Sequence, residues 1–130
     1  MSIDTSMSSR TAVTVLVVED EAMIRLDLGD YLTKRGFKVI EAGSAQEAIE
    51  ILERDRNIRV VFTDIRMPGD MDGVALAKSI RERWPPTIIV VCSGNAEDAD
   101  GIADIHIISK PYMPEQMCMV IDAVEQQLAA

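Results

Sequence analysis

Cysteine and histidine are too scarce in this chain to build a soft-metal centre. Cys92, Cys118 and His106 are the whole stock, and a zinc site draws its ligands from a denser set. Cys92 falls in an apolar run of strand character and Cys118 in a helical stretch. Both are therefore expected to be reduced, small hydrophobes rather than a disulfide or a metal pair. Aromatic residues make up only 4% of the chain, which leaves the core to Val, Ile, Leu and Ala. Positive charge is also in deficit: 13 Lys and Arg stand against 22 Asp and Glu, for a net charge of −9. That balance argues against direct binding to nucleic acid or to an anionic membrane and favours a protein partner or a cation. Long apolar runs are missing too. Thr87 to Cys92 is far shorter than the roughly 20 residues that span a bilayer. The opening Met1 to Thr11 is polar and Ser-rich, without the charged-then-apolar form of a leader, and a cytoplasmic location is expected.

At 130 residues the chain is long enough for one domain with a real core. Residues 1–11 read as a loose tail and 12–130 as the domain. Ala12 to Val18 is a continuous apolar run, hence a first buried strand, and it ends in Glu19-Asp20-Glu21. From Ala22 to Arg35 the period becomes helical, with Ile24, Leu28, Tyr31 and Leu32 on one stripe and Gly36 placed to stop it. A short strand follows at Lys38 to Ala42. Ser44 and Glu47 then have the form of a capping box at the head of a helix running to about Arg54, with Ala45, Ala48, Ile49 and Leu52 inward. Val60 to Thr63 read as a strand buried on both faces and deliver Asp64 at its end. Asp72 suits the N-cap of a third helix with Leu76, Ala77, Ile80 and Trp84 inward, closed by Pro85-Pro86. Thr87 to Cys92 is the fourth strand and His106 to Ser109 the fifth. Between them Asn95 to Asp104 has weak helical period. Pro114 opens a last helix with Met117, Ile121, Val124 and Leu128 on its apolar stripe. Five strands alternating with helices imply an α/β fold: a doubly wound, five-stranded parallel sheet with helices on both faces.

In such a sheet ligands bind at the carboxyl edge of the strands. Each long strand delivers polar groups there: Glu19 and Asp20 from the first, Asp64 from the third, Ser93 from the fourth, Lys110 from the fifth. Three carboxylates brought together repel one another unless a cation lies between them, and a hard ion such as Mg²⁺ suits oxygen ligands. A lysine, a hydroxyl and the Gly94 N–H around an aspartate are what a phosphoryl group on that aspartate requires. Asp64 is then the expected nucleophile and Lys110 the holder of the transferred oxygens.

With Val-Val-Glu-Asp-Glu at 17–21, Thr-Asp-Ile-Arg-Met-Pro at 63–68, Met-Asp-Gly at 71–73, Ser93-Gly94 and Lys110-Pro111-Tyr112, the chain resembles the response-regulator receiver family over Thr14 to about Leu128. The resemblance implies a flavodoxin-like (βα)5 fold. It implies phosphorylation of Asp64 by a histidine kinase or phosphotransfer protein, with Mg²⁺ held by Glu19, Asp20, Asp64 and the main-chain carbonyl of Arg66. Ser93 is the implied switch hydroxyl and Lys110 the phosphate-contacting lysine, before a cis Lys110–Pro111 peptide. Four features depart from the family's pattern. Gly69-Asp70 lengthens the loop after Asp64 by one residue. Ile107 stands where an aromatic switch residue is usual. The neighbouring His106 should face the other way along the strand. Ser93 and Lys110 are only 17 positions apart, so the fourth helix should be stunted or irregular, and the usual dimer and output face is expected to be remodelled.

The expected function is that of a stand-alone receiver, not an enzyme, that signals through altered binding to a downstream protein. The last helix reaching almost to Ala130 is part of that expectation. Three rivals stand beside it. A receiver segment of a larger hybrid kinase or regulator is the first. A phosphatase of the haloacid dehalogenase class needs an aspartate two positions after the nucleophile, where this chain has Arg66. An adaptor that ignores phosphorylation fits poorly with an intact acceptor, acid pair and lysine. Slow self-dephosphorylation is expected, with Arg66 and Asn95 beside the site.

Overall fold

The computed structural model describes residues 13–66, 69, 71–94, 102, 104–110 and 114–129. The elements are β1 (Thr14–Val18), α1 (Ala22–Lys34), β2 (Lys38–Ala42), α2 (Ala45–Arg54), β3 (Ile58–Asp64), α3 (Gly73–Arg83), β4 (Ile88–Ser93), β5 (Ile105–Ser109) and α4 (Pro114–Ala129). All five strands run parallel in the order β2-β1-β3-β4-β5, the doubly wound arrangement that the alternation of periods predicts.

Successive strand residues point to opposite faces, and the chain fills both with aliphatics. Leu16, Val18, Val61, Ile89 and Val91 pack beneath α2 and α3 with Ala48, Leu52, Leu76 and Ile80. Val15, Val17, Val60, Phe62, Val90 and Cys92 pack beneath α1 and α4 with Leu28, Leu32, Ile121 and Val124. Burial on both sides explains why β1, β3 and β4 read as unbroken apolar runs, each side chain contributing roughly 1.5–3 kcal/mol. The edge strand β2 is less apolar because Lys38 and Glu41 are exposed.

The local stop and start signals act largely as expected. Gly36 ends α1 with φ 100°, a conformation costly for other residues. Asp72 caps α3 by accepting from the Ala75 N–H at 2.9 Å. Ser44 caps α2 by accepting from the Glu47 N–H at 3.1 Å. The return bond of the capping box differs: Glu47 Oε1 accepts from Gly43 rather than Ser44, at 2.7 Å, so the side chain reaches one residue further back. Trp84 follows α3 instead of lying within it and sits half-buried with the Arg83 guanidinium 4.4 Å from its ring centroid. Only Cys92 behaves as a small core residue. Cys118 is exposed and its thiol lies 3.1 Å from the Tyr31 hydroxyl, joining α4 to α1.

The predicted tail, the stunted fourth helix and the cis Lys110–Pro111 peptide involve residues 1–12, 95–101, 103 and 111–113, which lie outside the described residues. At the near side of that connection Arg81 makes a clamp. Its Nη1 donates to the carbonyls of Pro85 (2.7 Å) and Thr87 (3.0 Å), and Nη2 to the carbonyl of Asp104 at 2.9 Å. Asp104 takes φ 56°, a turn that starts β5 in register with β4. Arg81→Ala removes the donor from three carbonyls at once and is expected to cost about 2 kcal/mol in urea unfolding, whereas Asp104→Gly should stay within about 1 kcal/mol of wild type. On β5, His106 faces α4, with Nε2 2.8 Å from Gln127 Oε1. Ile107 is 39% exposed, so the two side chains part as the strand period requires.

Candidate functional site

Parallel pairing aligns the strand ends and with them the polar residues. Asp64, the last residue of β3, is in register with Cys92, and the next residue of β4, Ser93, pairs with Ser109 of β5. The Lys110 N–H donates to the Ser93 carbonyl at 2.9 Å, which extends the ladder one residue and aims the lysine back over the edge. Its Nζ meets Asp64 Oδ2 at 2.6 Å. Asp64 Oδ1 accepts from the Arg66 N–H at 3.2 Å, so both carboxylate oxygens have donors. Asp64 is 7% exposed and Glu19 2%, while Asp20 is exposed.

One carboxylate oxygen from each of Glu19, Asp20 and Asp64 lies within 4.8 Å of the others. An open cavity of about 470 Å³ lined by Asp20, Glu21, Asp64, Arg66, Gly94 and Lys110 gives access to them. Glu19 Oε2 accepts from the Glu21 N–H at 3.0 Å. Its Oε1 is buried without a hydrogen-bond partner among the described residues. An orphaned carboxylate oxygen beside two further carboxylates is the donor set of a hard cation, and a divalent ion such as Mg²⁺ fits these residues.

Charge and burial leave their mark on the site. Glu19 is raised from 4.5 to about 7, first by loss of hydration, then by Asp20 and the charge of Asp64, against the opposing Glu21 N–H and Lys110. Loss of hydration alone would lower Lys110, but the hydrogen bond and charge of Asp64, with the charge of Glu19, outweigh it and hold the ammonium above its ordinary range. The raised Glu19 carries a stability cost of clear sign. The folded state keeps a proton that the unfolded chain releases, so this group's contribution is fully present below about pH 4.5 and is lost as pH rises through about 7. A cation must displace the same proton. Mg²⁺ affinity measured by calorimetry is therefore expected to be roughly tenfold weaker at about pH 6 than at about pH 8.

The described site residues named from the sequence lie at this edge. Glu19, Asp20, Asp64 and Lys110 converge through their side chains. Ser93 is buried and reaches the site through its carbonyl bond to Lys110. Arg66 contributes its main-chain N–H to Asp64. Met67, Pro68, Asp70 and Asn95 lie outside the described residues; Gly69 takes φ 108°, which suits only glycine. Two residues have roles that the sequence alone does not assign, although Gly73 belongs to the Met-Asp-Gly motif. The guanidinium of Arg25 donates to the Glu19 carbonyl at 2.7 Å. Gly73 sits where a Cβ would lie 1.9 Å from the Asp64 carbonyl oxygen.

The family model of the response regulator receiver domain matches residues 15–122. The chain belongs to the response regulator receiver family. This receiver is 38% identical to the hydrogenase transcriptional regulatory protein HoxA of Cupriavidus necator over 95% of its own length and 26% of that protein's. It is 34% identical to the sensor kinase CckA of Brucella abortus over 89% of its length and 13% of the kinase's. The receiver thus spans about a quarter or less of these curated relatives. Among solved structures, a response regulator receiver protein from Sinorhizobium medicae superposes with a TM-score of 0.79 at 38% identity, covering 91% of this chain and 95% of that one. Likeness to CheY4 of Vibrio cholerae, with a TM-score of 0.77 at 24% identity over 86% of this chain and 98% of that one, shows the flavodoxin-like fold. Among the described residues no helix is long and apolar enough to cross a membrane.

Proposed function

We propose that this receiver accepts a phosphoryl group on Asp64 from a histidine kinase or phosphotransfer protein in a Mg²⁺-dependent reaction, and that it signals through altered binding to a protein partner. The observation that carries the reading is the Lys110 ammonium 2.6 Å from Asp64 Oδ2 beside the Glu19, Asp20 and Asp64 cluster. A carboxylate oxygen of Asp64 forms the new P–O bond as the P–N bond of a phosphohistidine donor breaks, and the departing imidazole keeps the bond's electron pair. Mg²⁺, when bound, offsets the mutual repulsion of the two anions and would be held by Glu19, Asp20, Asp64 and the Arg66 carbonyl. Lys110 passes from Asp64 Oδ2 to the transferred oxygens, and the Ser93 hydroxyl is the second group that the phosphoryl recruits, biasing a two-state surface. The chain is a phospho-accepting signalling unit and not a turnover enzyme; its slow self-dephosphorylation is expected.

Coverage of 95% of the Sinorhizobium chain at 38% identity favours a receiver that acts by itself, and a cytoplasmic location is part of the same proposal. HoxA and CckA, of which the chain spans 26% and 13%, favour the second reading, a receiver unit of a longer regulator or kinase. The chemistry is tested by intact mass after incubation with Mg²⁺ and acetyl phosphate. A gain of one phosphoryl group that requires Mg²⁺ and is missing in Asp64→Asn supports the proposal, and a gain retained in Asp64→Asn contradicts it. Immunoblotting of the source cells separates the two readings by the size of the polypeptide that carries this receiver.

A further inference from the structure

We propose that Arg25 is a positioning residue for the acid pair, and that cation affinity at Asp64 depends on its two-pronged grip. The inference rests on the metal-assisted acceptor reading above. Arg25 Nη1 donates to the main-chain carbonyl of Glu19 at 2.7 Å, and Nε to Glu41 Oε1 of β2 at 3.0 Å. The other end of the same residue is held as well, because the Glu19 N–H donates to the carbonyl of Ala42 at 3.0 Å. The Glu19 main chain is thus gripped on one side by a side chain of α1 and on the other by the end of β2. With its backbone fixed in this way, the Glu19 carboxylate is turned inward beside Asp64.

Gly43 lies beside Arg25 and Gly29 beside Glu41, where an added Cβ would make only ordinary contacts, 3.5 Å from Arg25 Nη1 and 3.6 Å from Glu41 Oε2. Helix α1 begins at Ala22, its N-cap residue Glu21 makes no side-chain cap, and the Glu21 N–H is spent on Glu19 Oε2 instead. The loop that carries the acid pair therefore lacks the usual device for fixing a helix start, and Arg25 supplies a different one. Its ion pair with Glu41 is partly exposed, 22% and 37% for the two side chains, and such pairs add little to global stability. The consequence falls on where the carboxylates sit. Oxygen ligands must meet a divalent ion within a few tenths of an ångström, and loss of the groups that orient ligands weakens metal binding roughly 10–100-fold. Lysine cannot reproduce the fork, since its single ammonium reaches the Glu19 carbonyl or Glu41 but not both in this geometry.

The test uses Mn²⁺ alone as the probe, with free ion counted by electron paramagnetic resonance in the full chain. Variants are Arg25→Lys, Arg25→Ala and Glu41→Gln, with Arg35→Lys as the control, because Arg35 makes a similar two-carboxylate bridge to Asp122 and Glu125 away from the acid cluster. Arg25→Lys is expected to weaken Mn²⁺ binding roughly tenfold with little change in melting temperature, Glu41→Gln by a smaller factor, and Arg35→Lys not at all. If Arg25→Ala fails to fold, Arg25→Lys and Glu41→Gln carry the comparison. Wild-type affinity in folded Arg25→Lys, or an equal loss in Arg35→Lys, overturns the proposal. A wild-type protein that takes up no Mn²⁺ overturns the cation reading itself and the role of Arg25 with it, whereas Mn²⁺ uptake that Arg25→Lys leaves unchanged removes only the latter.

Discussion

Lys110→Ala is expected to slow phosphoryl uptake from acetyl phosphate by roughly 100- to 1000-fold while leaving the sheet intact. Removing one preorganised charge from a site where negative charge accumulates costs about that much in other acyl- and phosphoryl-transfer sites. Lys110 is the described cation whose ammonium lies against Asp64, and its own ladder bond to Ser93 runs through the main chain, so truncating the side chain spares the β5 register. Lys110→Arg separates charge from shape. It should recover part of the lost rate, because the positive charge remains but the compact ammonium is replaced by a planar fork. Rates are read from the mass shift against time at saturating Mg²⁺. Equal rates for wild type and Lys110→Ala would mean that the lysine is only a partner of resting Asp64.

Gly73→Ala should have the largest effect on the fold itself. Its Cβ would lie 1.9 Å from the Asp64 carbonyl oxygen and 2.7 Å from Ile65 Cα. Those neighbours are backbone atoms of a central strand, so they have little freedom to yield. Gly73 also donates its N–H to the Ile65 carbonyl at 2.9 Å, fixing the head of α3 directly against the strand end. One methyl group must therefore move α3 or the end of β3. The expected loss is about 3 kcal/mol or more, roughly 10 °C in melting temperature, together with weakened cation binding because Asp64 moves too. Calorimetric melting with and without Mg²⁺ checks both parts. A melting temperature within about 2 °C of wild type would show that the helix can retreat without strain.

The sheet and the placing of the acids, Ser93 and Lys110 at the ends of its strands were legible from the sequence because both are encoded locally. An apolar run such as Val60-Val61-Phe62 announces a strand with two covered faces, and the polar residue that ends it is placed on the carboxyl edge by the same fact. Parallel pairing then brings Asp64, Ser93 and Lys110 together without further information. The groups that hold the site in shape were less visible. Arg25 stands outside the apolar stripe of α1 and looks like any solvated charge until β2 is laid beside it. Gly73 is visible in the sequence as the last residue of the Met-Asp-Gly motif, but only the meeting of α3 with β3 shows why no side chain fits. Arg81 has the same character: its three carbonyl partners come from Pro85 and Thr87 in the turn between α3 and β4 and from Asp104, 23 positions later. Cys118 is reduced as expected, but its exposure was not legible, for a related reason. Helical period assigns a residue to a face, but the flank where α4 meets α1 is set by how the two helices lie on the sheet, and there the thiol meets Tyr31 in the open. The uncapped start of α1 is itself informative, since a local rule of helix formation is broken where Glu19 and Glu21 are committed to the site.

The most direct test of Asp64 as the phosphoryl acceptor is borohydride reduction of the Mg²⁺- and acetyl phosphate-treated protein, followed by mass analysis of its peptides. Borohydride converts an acyl phosphate, but not a free carboxylate, to an alcohol. The expected result is homoserine at position 64 and at no other aspartate, dependent on Mg²⁺. A protein that gains a phosphoryl group yet keeps an unreduced Asp64, or yields the reduced residue at Asp20 or Glu19 instead, would contradict the account.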